Sequence, residues 1–381
     1  MRFVSGSLLV LARPGKLAPR PGKKLYDVTT SLVPLCASLS VYILLYLLLP
    51  SLIISVTPTY ASNPSFPYPN TPEHASFLST SYTLLHRSAD GSSYPIGYVV
   101  ESVFNALAKV PISIKGELEV SRKDRTIAWP LFPTEAERSR AVAATCDYWR
   151  ENGKFEVLKG WRDELYAVYG TGNELLWNVE RSASCLFGVL TYGVHMSCYT
   201  LVGEEERGKE GTKYGFKLWI PRRAKTKQTY GGMLDNTVAG GIASGEEPFE
   251  CLVREADEEA SLPEKYVREN SKDVGSVTYI YVREARAGGE SGMLQPECQF
   301  VYDLELPKDM VPQPKDGEVE CFYLWTVEKC LEALGKGEFK PNCAIVVLDF
   351  LVRWSALGGE EGEEIRRRVH RKLEFPGPHG T

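Results

Sequence analysis

The chain has 381 residues, enough for two domains and an ample core, with 43% hydrophobic and 11% aromatic residues. A formal net charge of −5 argues against a nucleic-acid binder, which is usually basic. The nine cysteines are scattered without a C-x-x-C pair, which argues against a structural zinc site or a disulfide framework, and the five histidines form no H-x-x-x-H pair.

Residues 1–26 carry Arg2, Arg13, Lys16, Arg20, Lys23 and Lys24 and no acid. Within the uncharged stretch that follows, residues 32–56 are apolar and long enough to cross a bilayer. Three readings stand side by side: a membrane anchor with a cytoplasmic N-terminus, a mitochondrial leader followed by a membrane stop, or a segment absent from the working protein, which would then be cytoplasmic. Residues 57–80, rich in Pro, Ser, Thr and Tyr, read as a linker, so 1–76 form a leader ahead of the first soluble domain.

That domain, 77–181, reads as small and α+β. Strands are expected at 95–100 and 112–120 and a short helix at 101–109. A longer helix is expected at 134–152, with Thr134 and Glu137 forming a capping box. Residues 155–170 are dense in aromatics and charges; a strand and turn packed on the second domain is favoured over a substrate wall of Trp161, Arg162, Asp163 and Glu164.

The second domain, 182–357, opens with 185–202, long enough for one strand and part of another. His195 lies in this apolar run and reads as a core histidine. A strand at 216–221 leads into Arg222, Arg223, Lys225 and Lys227, cations suited to phosphates. Residues 228–236, including Gln228, Asp235 and Asn236, form a polar approach to the next helix. Strands are expected at 275–282 and 299–306 around a loop at 287–292, and a proline-rich loop runs into a strand by 324. Glu318 and Glu320 alternate there, and either is a candidate further carboxylate or a solvent-facing edge. Helices follow at 326–333 and 342–357. The tail, 358–381, includes an exposed or disordered charged stretch with i,i+4 pairs Glu363–Arg367 and Glu364–Arg368.

The chemistry concentrates at 240–262, GGIASGEEPFECLVREADEEASL. Pro248 suits a first helical turn. Phe249, Leu252, Val253, Ala256 and Ala260 recur at helical spacing as one buried stripe. Glu255, Glu258 and Glu259 fall within about a 100° sector away from it, where their mutual repulsion would be relieved by a hard cation.

Gly240, five residues, Glu246, seven residues, then Arg254-Glu255-x-x-Glu258-Glu259 is the Nudix hydrolase signature, with Ser261 in place of its late glycine. The flanking segments 155–170, 216–224, 225–242 and 316–325 resemble one Nudix subgroup: the Nudix portion of fungal thiamine pyrophosphokinase fusions and stand-alone relatives with an N-terminal domain of unknown function. The likeness covers about 77–357 and includes no kinase half. It implies a Nudix α/β/α sandwich around a mixed sheet and a Mg²⁺- or Mn²⁺-dependent enzyme. Its substrate would be a small diphosphate, namely thiamine diphosphate or its oxidised or damaged forms, cleaved to the monophosphate. It further implies Glu258 and Glu259 as main metal ligands, Glu255 as ligand or base, the Ala239 carbonyl as an extra ligand, Arg254 as holder of the glutamates, and Glu246 as a brace. Glu318, with Glu320 behind it, is the candidate remote base or ligand. Arg222, Arg223, Lys227, Gln228, Asp235 and Asn236 are the candidate substrate contacts. Two alternatives remain: a nucleoside diphosphate hydrolase of the oxidised-dGDP type, and a non-catalytic diphosphate-binding module. Isomerisation of a prenyl diphosphate, with Cys251 as the active thiol, is a minor reading.

Overall fold

A helix at Pro72–Thr80 (α1) leads directly into the first strand, so the expected linker ends in ordered structure. The structure, a computed structural model, describes residues 72–206 and 213–378, all within one compact unit. The basic leader and the apolar segment 32–56 lie outside the described residues, as does part of the charged loop after residue 203. Among the described residues no helix is long and apolar enough to cross a membrane.

The N-terminal part is built on a four-stranded sheet of order β2-β1-β4-β3, from β1 (Ser81–Arg87), β2 (Ser93–Val100), β3 (Glu119–Ser121) and β4 (Thr126–Ala128). α2 (Glu101–Lys109) and α3 (Glu135–Glu151) cover it, and the Thr134–Glu137 capping box starts α3. A separate antiparallel hairpin, β5 (Leu165–Tyr169) and β6 (Leu175–Glu180), completes this part. Trp129, Trp149 and Trp177 surround Phe187 at centroid distances of 5.4, 5.7 and 5.8 Å.

The expected strand at 112–120 is instead a helical turn, Ile112–Lys115, followed by the short β3. Pro111 starts the turn, and its carbonyl takes the N–H groups of Ile114 and Lys115. The Lys115 ammonium then bonds the Val110 carbonyl at 2.6 Å, and Gly116 ends the turn at φ 74°. Local capping here outweighs the alternation of apolar residues.

The second sheet runs β10-β11-β7-β8-β12, with β9 also paired to β7. Its strands are β7 (Thr191–Leu201), β8 (Phe216–Arg223), β9 (Val238–Gly241), β10 (Lys272–Val282), β11 (Leu294–Glu305) and β12 (Val319–Thr326). Only the β7–β11 pairing in it is parallel, so the sheet is mixed. Residues 185–202 hold one eleven-residue strand behind a helical turn, Ser184–Phe187, rather than parts of two strands.

On one face, α4 (Pro248–Ala260) packs Leu252, Val253 and Ala256 against Val194, Met196 and Trp219, with α5 (Glu264–Asn270) beside it. On the other, α6 (Val327–Gly335) and the almost wholly buried α7 (Pro341–Arg353) cover Tyr199, Leu218, Ile220 and Val301. The result is an α/β/α arrangement.

The tail is an ordered helix, α8 (Gly359–Val369), with Ile365 and Val369 buried against the core. Glu364 takes both Arg368 and Arg367, while Glu363 lies 3.8 Å from Arg366, so the expected Glu363–Arg367 side-chain pair is replaced. His370 anchors the end of α8: Nε2 meets Asp349 Oδ1 and Nδ1 meets the Ser276 carbonyl, both at 2.9 Å. The Asp349 bond raises the His370 pKa, against burial and the charge of Arg366.

Two stability outcomes follow from this packing. Phe187→Ala leaves three tryptophans around a cavity and should cost about 3–5 kcal/mol in urea unfolding. The His370 contribution is fully present below its unfolded pKa and is lost as pH rises through the raised folded value. Wild type should therefore lose thermal stability relative to His370→Gln between pH 6 and pH 8; a difference independent of pH would refute the anchor.

Candidate active site

The site begins at the edge of β7, where β9 brings Ala239, Gly240 and Gly241 opposite His195, Val194 and Gly193. The loop after β9 turns at Gly245 (φ 84°), and Pro248 opens α4 in its first turn. α4 closes on Ser261 in the left-handed conformation (φ 54°), the place a glycine takes without strain. Serine there costs about 1 kcal/mol, offset by its N–H bonding the Asp257 carbonyl and its hydroxyl bonding the Gln313 carbonyl at 2.9 Å.

The carboxylates of α4 lie against the β9 backbone. Buried Glu259 accepts the Ala239 N–H at 2.9 Å. The Glu255 side chain crosses Gly240 so closely that a Cβ there would stand 2.4 Å from its Cγ and Cδ, and any larger residue would push the carboxylate aside. Arg254 gathers the acids: Nε donates to Glu246 at 3.0 Å, and Nη1 donates to Glu255 at 3.0 Å and Glu258 at 2.8 Å. Glu246 also accepts the Ala243 N–H at 3.2 Å, which ties the loop to the helix.

Burial pushes the Glu255 carboxyl up to about 7, against the pull of Arg254. Burial, then the charges of Glu255 and Asp235, hold Glu259 well above its ordinary value despite the Ala239 N–H. Two crowded carboxylates that resist ionisation are a donor set a divalent cation would satisfy. Among the described residues no three candidate ligand side chains already converge. The ion pairs to Arg254 account for this, since they turn Glu255 and Glu258 toward the guanidinium. The donor types fit Mg²⁺ or Mn²⁺ once those pairs rearrange.

Beside β9 opens a cavity of about 500 Å³. Its lining includes Ala239–Gly241 and five tyrosines, Tyr166, Tyr192, Tyr230, Tyr279 and Tyr281. Glu297 lies directly across from Tyr279 in the β10–β11 register; its Oε2 accepts the Tyr279 hydroxyl and, at 3.0 Å, the Gln299 amide. His195 also lines the cavity, with Nδ1 2.7 Å from Asn236 Oδ1, so Nδ1 carries the proton and Nε2 keeps its lone pair. Burial and Lys340 push its pKa down to about 4, leaving the ring neutral. Ser182 Oγ and the Tyr192 hydroxyl have no protein partner among the described residues, unusual for buried polar atoms.

Of the expected substrate contacts, Gln228 lines the cavity. The others hold the scaffold. Arg222 and Arg223 continue β8 beyond the strand expected at 216–221: Arg222 bonds the Gly232 carbonyl at 2.8 Å, and buried Arg223 pairs with Asp235. Asp235 also accepts the Cys343 thiol, and Asn236 is spent on His195 and the Cys343 carbonyl. Lys227 pairs with Glu318. Burial raises Glu318, but Lys227 more than offsets it, leaving a carboxylate below its ordinary pKa. Glu320 is exposed. Cys251 is buried, its thiol directed to the Gly241 carbonyl at 3.5 Å and its pKa pushed up by burial, which suits no thiol chemistry.

Sequence reasoning missed Arg181, Tyr279, Tyr281 and Glu297. Residues 155–170 both pack as a strand and turn and supply the cavity with Lys159, Arg162 and Tyr166, whereas Trp161 donates to Asp163 instead. The alternation of Tyr279 with Tyr281 and of Glu297 with Gln299 was readable, but not the register that sets them together.

Residues 204–343 match the NUDIX domain, and residues 95–191 match a domain of unknown function, DUF4743. An uncharacterized protein of Saccharomyces cerevisiae is 39% identical over 58% of this chain and 64% of its own length. Nudix hydrolase 20, chloroplastic, of Arabidopsis thaliana is 36% identical over 57% of this chain and 53% of its own length. The chain thus spans between half and two thirds of these relatives. Among solved structures, DR0079 from Deinococcus radiodurans is 20% identical with a TM-score of 0.33, over 55% of this chain and 100% of that one. The signature on β9 and α4, lying inside the matched span, makes residues 204–343 a domain of the Nudix hydrolase family, joined to a DUF4743 domain.

Proposed function

We propose that this protein is a metal-dependent Nudix pyrophosphohydrolase that cleaves thiamine diphosphate, or its oxidised or damaged analogues, to the monophosphate and phosphate. The observation carrying this reading is the placement of the α4 carboxylates beside a tyrosine-lined cavity that also holds Glu297. Aromatic faces and a carboxylate suit a cationic heterocycle, and about 500 Å³ accommodates a two-ring moiety with its diphosphate. The flanking motifs that resemble the thiamine pyrophosphokinase-related subgroup support the same substrate.

In this reading Glu255, Glu258, Glu259 and the Ala239 carbonyl hold Mg²⁺ or Mn²⁺. The cation supplies charge withdrawal from the diphosphate oxygens, whose repulsion otherwise protects phosphorus from water. Arg254 keeps the carboxylates gathered when the site is empty and pairs with Glu246 throughout. When it is not bound to the cation, Glu255 is the carboxylate placed to take the proton of the attacking water. Glu318 positions Lys227 instead of acting as the base. The tyrosines and Glu297 hold the organic end, so that the terminal phosphoryl group lies over β9. Water adds at phosphorus, the P–O–P bridge breaks, and the bridging oxygen leaves with the monophosphate.

The deciding experiment is phosphate release by the full chain with Mg²⁺ or Mn²⁺ from thiamine diphosphate, its oxidised analogues and a panel of nucleoside diphosphates. Preference for the thiamine series is expected. Preference for nucleotides would keep the hydrolase and discard the substrate, and no turnover would favour a binding module. Glu258→Gln should lower turnover by about 100-fold or more with thermal unfolding unchanged; wild-type activity in that variant would remove the metal assignment. Glu297→Gln should raise KM for thiamine diphosphate by about 5- to 20-fold with little effect on a nucleoside diphosphate. An equal effect on both would reduce Glu297 to a structural role.

A further inference from the structure

We propose that Arg181, from the segment matching the domain of unknown function, is a phosphate-contacting residue of the Nudix site, so that this segment supplies a cationic wall of the diphosphate subsite. The inference rests on the diphosphate-hydrolase reading above and names the residue that receives the diphosphate.

The geometry places Arg181 at β9. A Cβ on Gly241 would stand 3.3 Å from the Arg181 Cζ and 2.1 Å from the Tyr166 hydroxyl oxygen, so both side chains rest on the strand that carries the metal-site backbone. The strand is held there by the Ser244 N–H, which bonds the Leu165 carbonyl at 2.7 Å. Arg181 lies over the Tyr166 ring at 5.5 Å, and both line the cavity.

Its hydrogen bonds leave one edge open. Nη1 donates to both oxygens of Glu164, at 3.1 and 2.8 Å. Nε and Nη2 have no protein partner among the described residues, and together they form the planar pair of donors that a phosphate accepts bidentately. The wall is pre-set as well. The buried Glu180 carboxylate accepts the backbone N–H groups of Arg162 at 3.0 Å and Ser182 at 3.2 Å, which fixes the backbone on both sides of the cavity-facing arginines.

Charge balance favours such a group. A diphosphate entering beside Glu255 and Glu259 meets like charge, and three of the four cations around the end of β8 are engaged. Arg222 is bound to Gly232, Arg223 to Asp235 and Lys227 to Glu318. Arg283 is spent on Gln295 and on the carbonyls of Ala287 and Gly288. Arg181 combines an open guanidinium edge with contact to β9.

The test uses the full chain and methylenediphosphonate, a diphosphate that cannot be hydrolysed, titrated calorimetrically with Mg²⁺ present. Arg181→Gln should weaken its binding by about 10- to 100-fold, while Arg181→Lys keeps part of the affinity and both retain the wild-type melting temperature. Equal affinity in wild type and Arg181→Gln, or no binding by wild type, would overturn the proposal. If the glutamine variant does not fold, phenylglyoxal labelling of wild-type Arg181, read by mass spectrometry, replaces it. Protection by methylenediphosphonate is expected, and unprotected labelling would overturn the contact. Turnover of thiamine diphosphate recorded in parallel separates the two readings. Binding that depends on Arg181 without hydrolysis of any diphosphate rejects the enzyme and keeps the anion site. Hydrolysis unaffected by Arg181→Gln rejects the anion site and keeps the enzyme.

Discussion

The Arg254 guanidinium holds one loop glutamate and two helix glutamates together beside a strand. It donates to Glu246, Glu255 and Glu258 at once, and its two neighbouring carboxylates on α4 would otherwise repel each other in a half-buried setting. The local constraints follow from that clamp. The Glu255 side chain lies in the space a Cβ on Gly240 would take. Pro248 starts α4 directly after the loop, and Ser261 accepts a left-handed conformation so that the chain leaves α4 at once. Each of these gives up some intrinsic stability or freedom to keep the acids over β9.

The sheet then extends the site away from the acids. β7 is flanked by β9 on one edge and β11 on the other, so Gly241, Gly193 and Gln299 share one row and Glu297 lies two residues along. Strand spacing and rise place Glu297 roughly 12 Å from Gly241. Polar groups in such a buried sheet are costly unless paired. Glu297 is paired with Tyr279 and Gln299, and His195 with Asn236, so each is held in one orientation before any ligand arrives. A site with its polar groups already ordered loses less entropy when a ligand binds.

The metal end of the site was legible in the sequence because its signal is local. Helical periodicity, the N1 proline and the spacing of Gly240, Glu246, Arg254, Glu255, Glu258 and Glu259 all lie within one short stretch. Most helices and strands were legible for the same reason, including the capped helix after Thr134. The failures share a different cause. Arg222 and Arg223 read as phosphate contacts because nothing local shows that β8 continues through them and that Asp235 waits opposite. The strand expected at 112–120 yielded to a proline-started turn, and the tail helix read as solvated although Ile365 and Val369 are buried. The far wall of the cavity depends on the β10–β11 register and on a hairpin that ends 58 residues before β9 begins, which no windowed reading of the chain contains.

That hairpin joins the stability of the N-terminal part to the geometry of the Nudix site. Phe187 and its three tryptophans belong to an apolar cluster that runs on through Val189 and takes in Tyr166 and Met293. Tyr166 sits in that cluster through its ring and on Gly241 through its hydroxyl. A side chain buried on both counts cannot shift without disturbing either the core or the strand. The Leu165 carbonyl bonded to Ser244 and the Arg181 backbone bonded to Glu164 add fixed points on either side. The two halves therefore behave as one active-site body. Loosening the tryptophan cage would therefore disturb the contact of Tyr166 with β9.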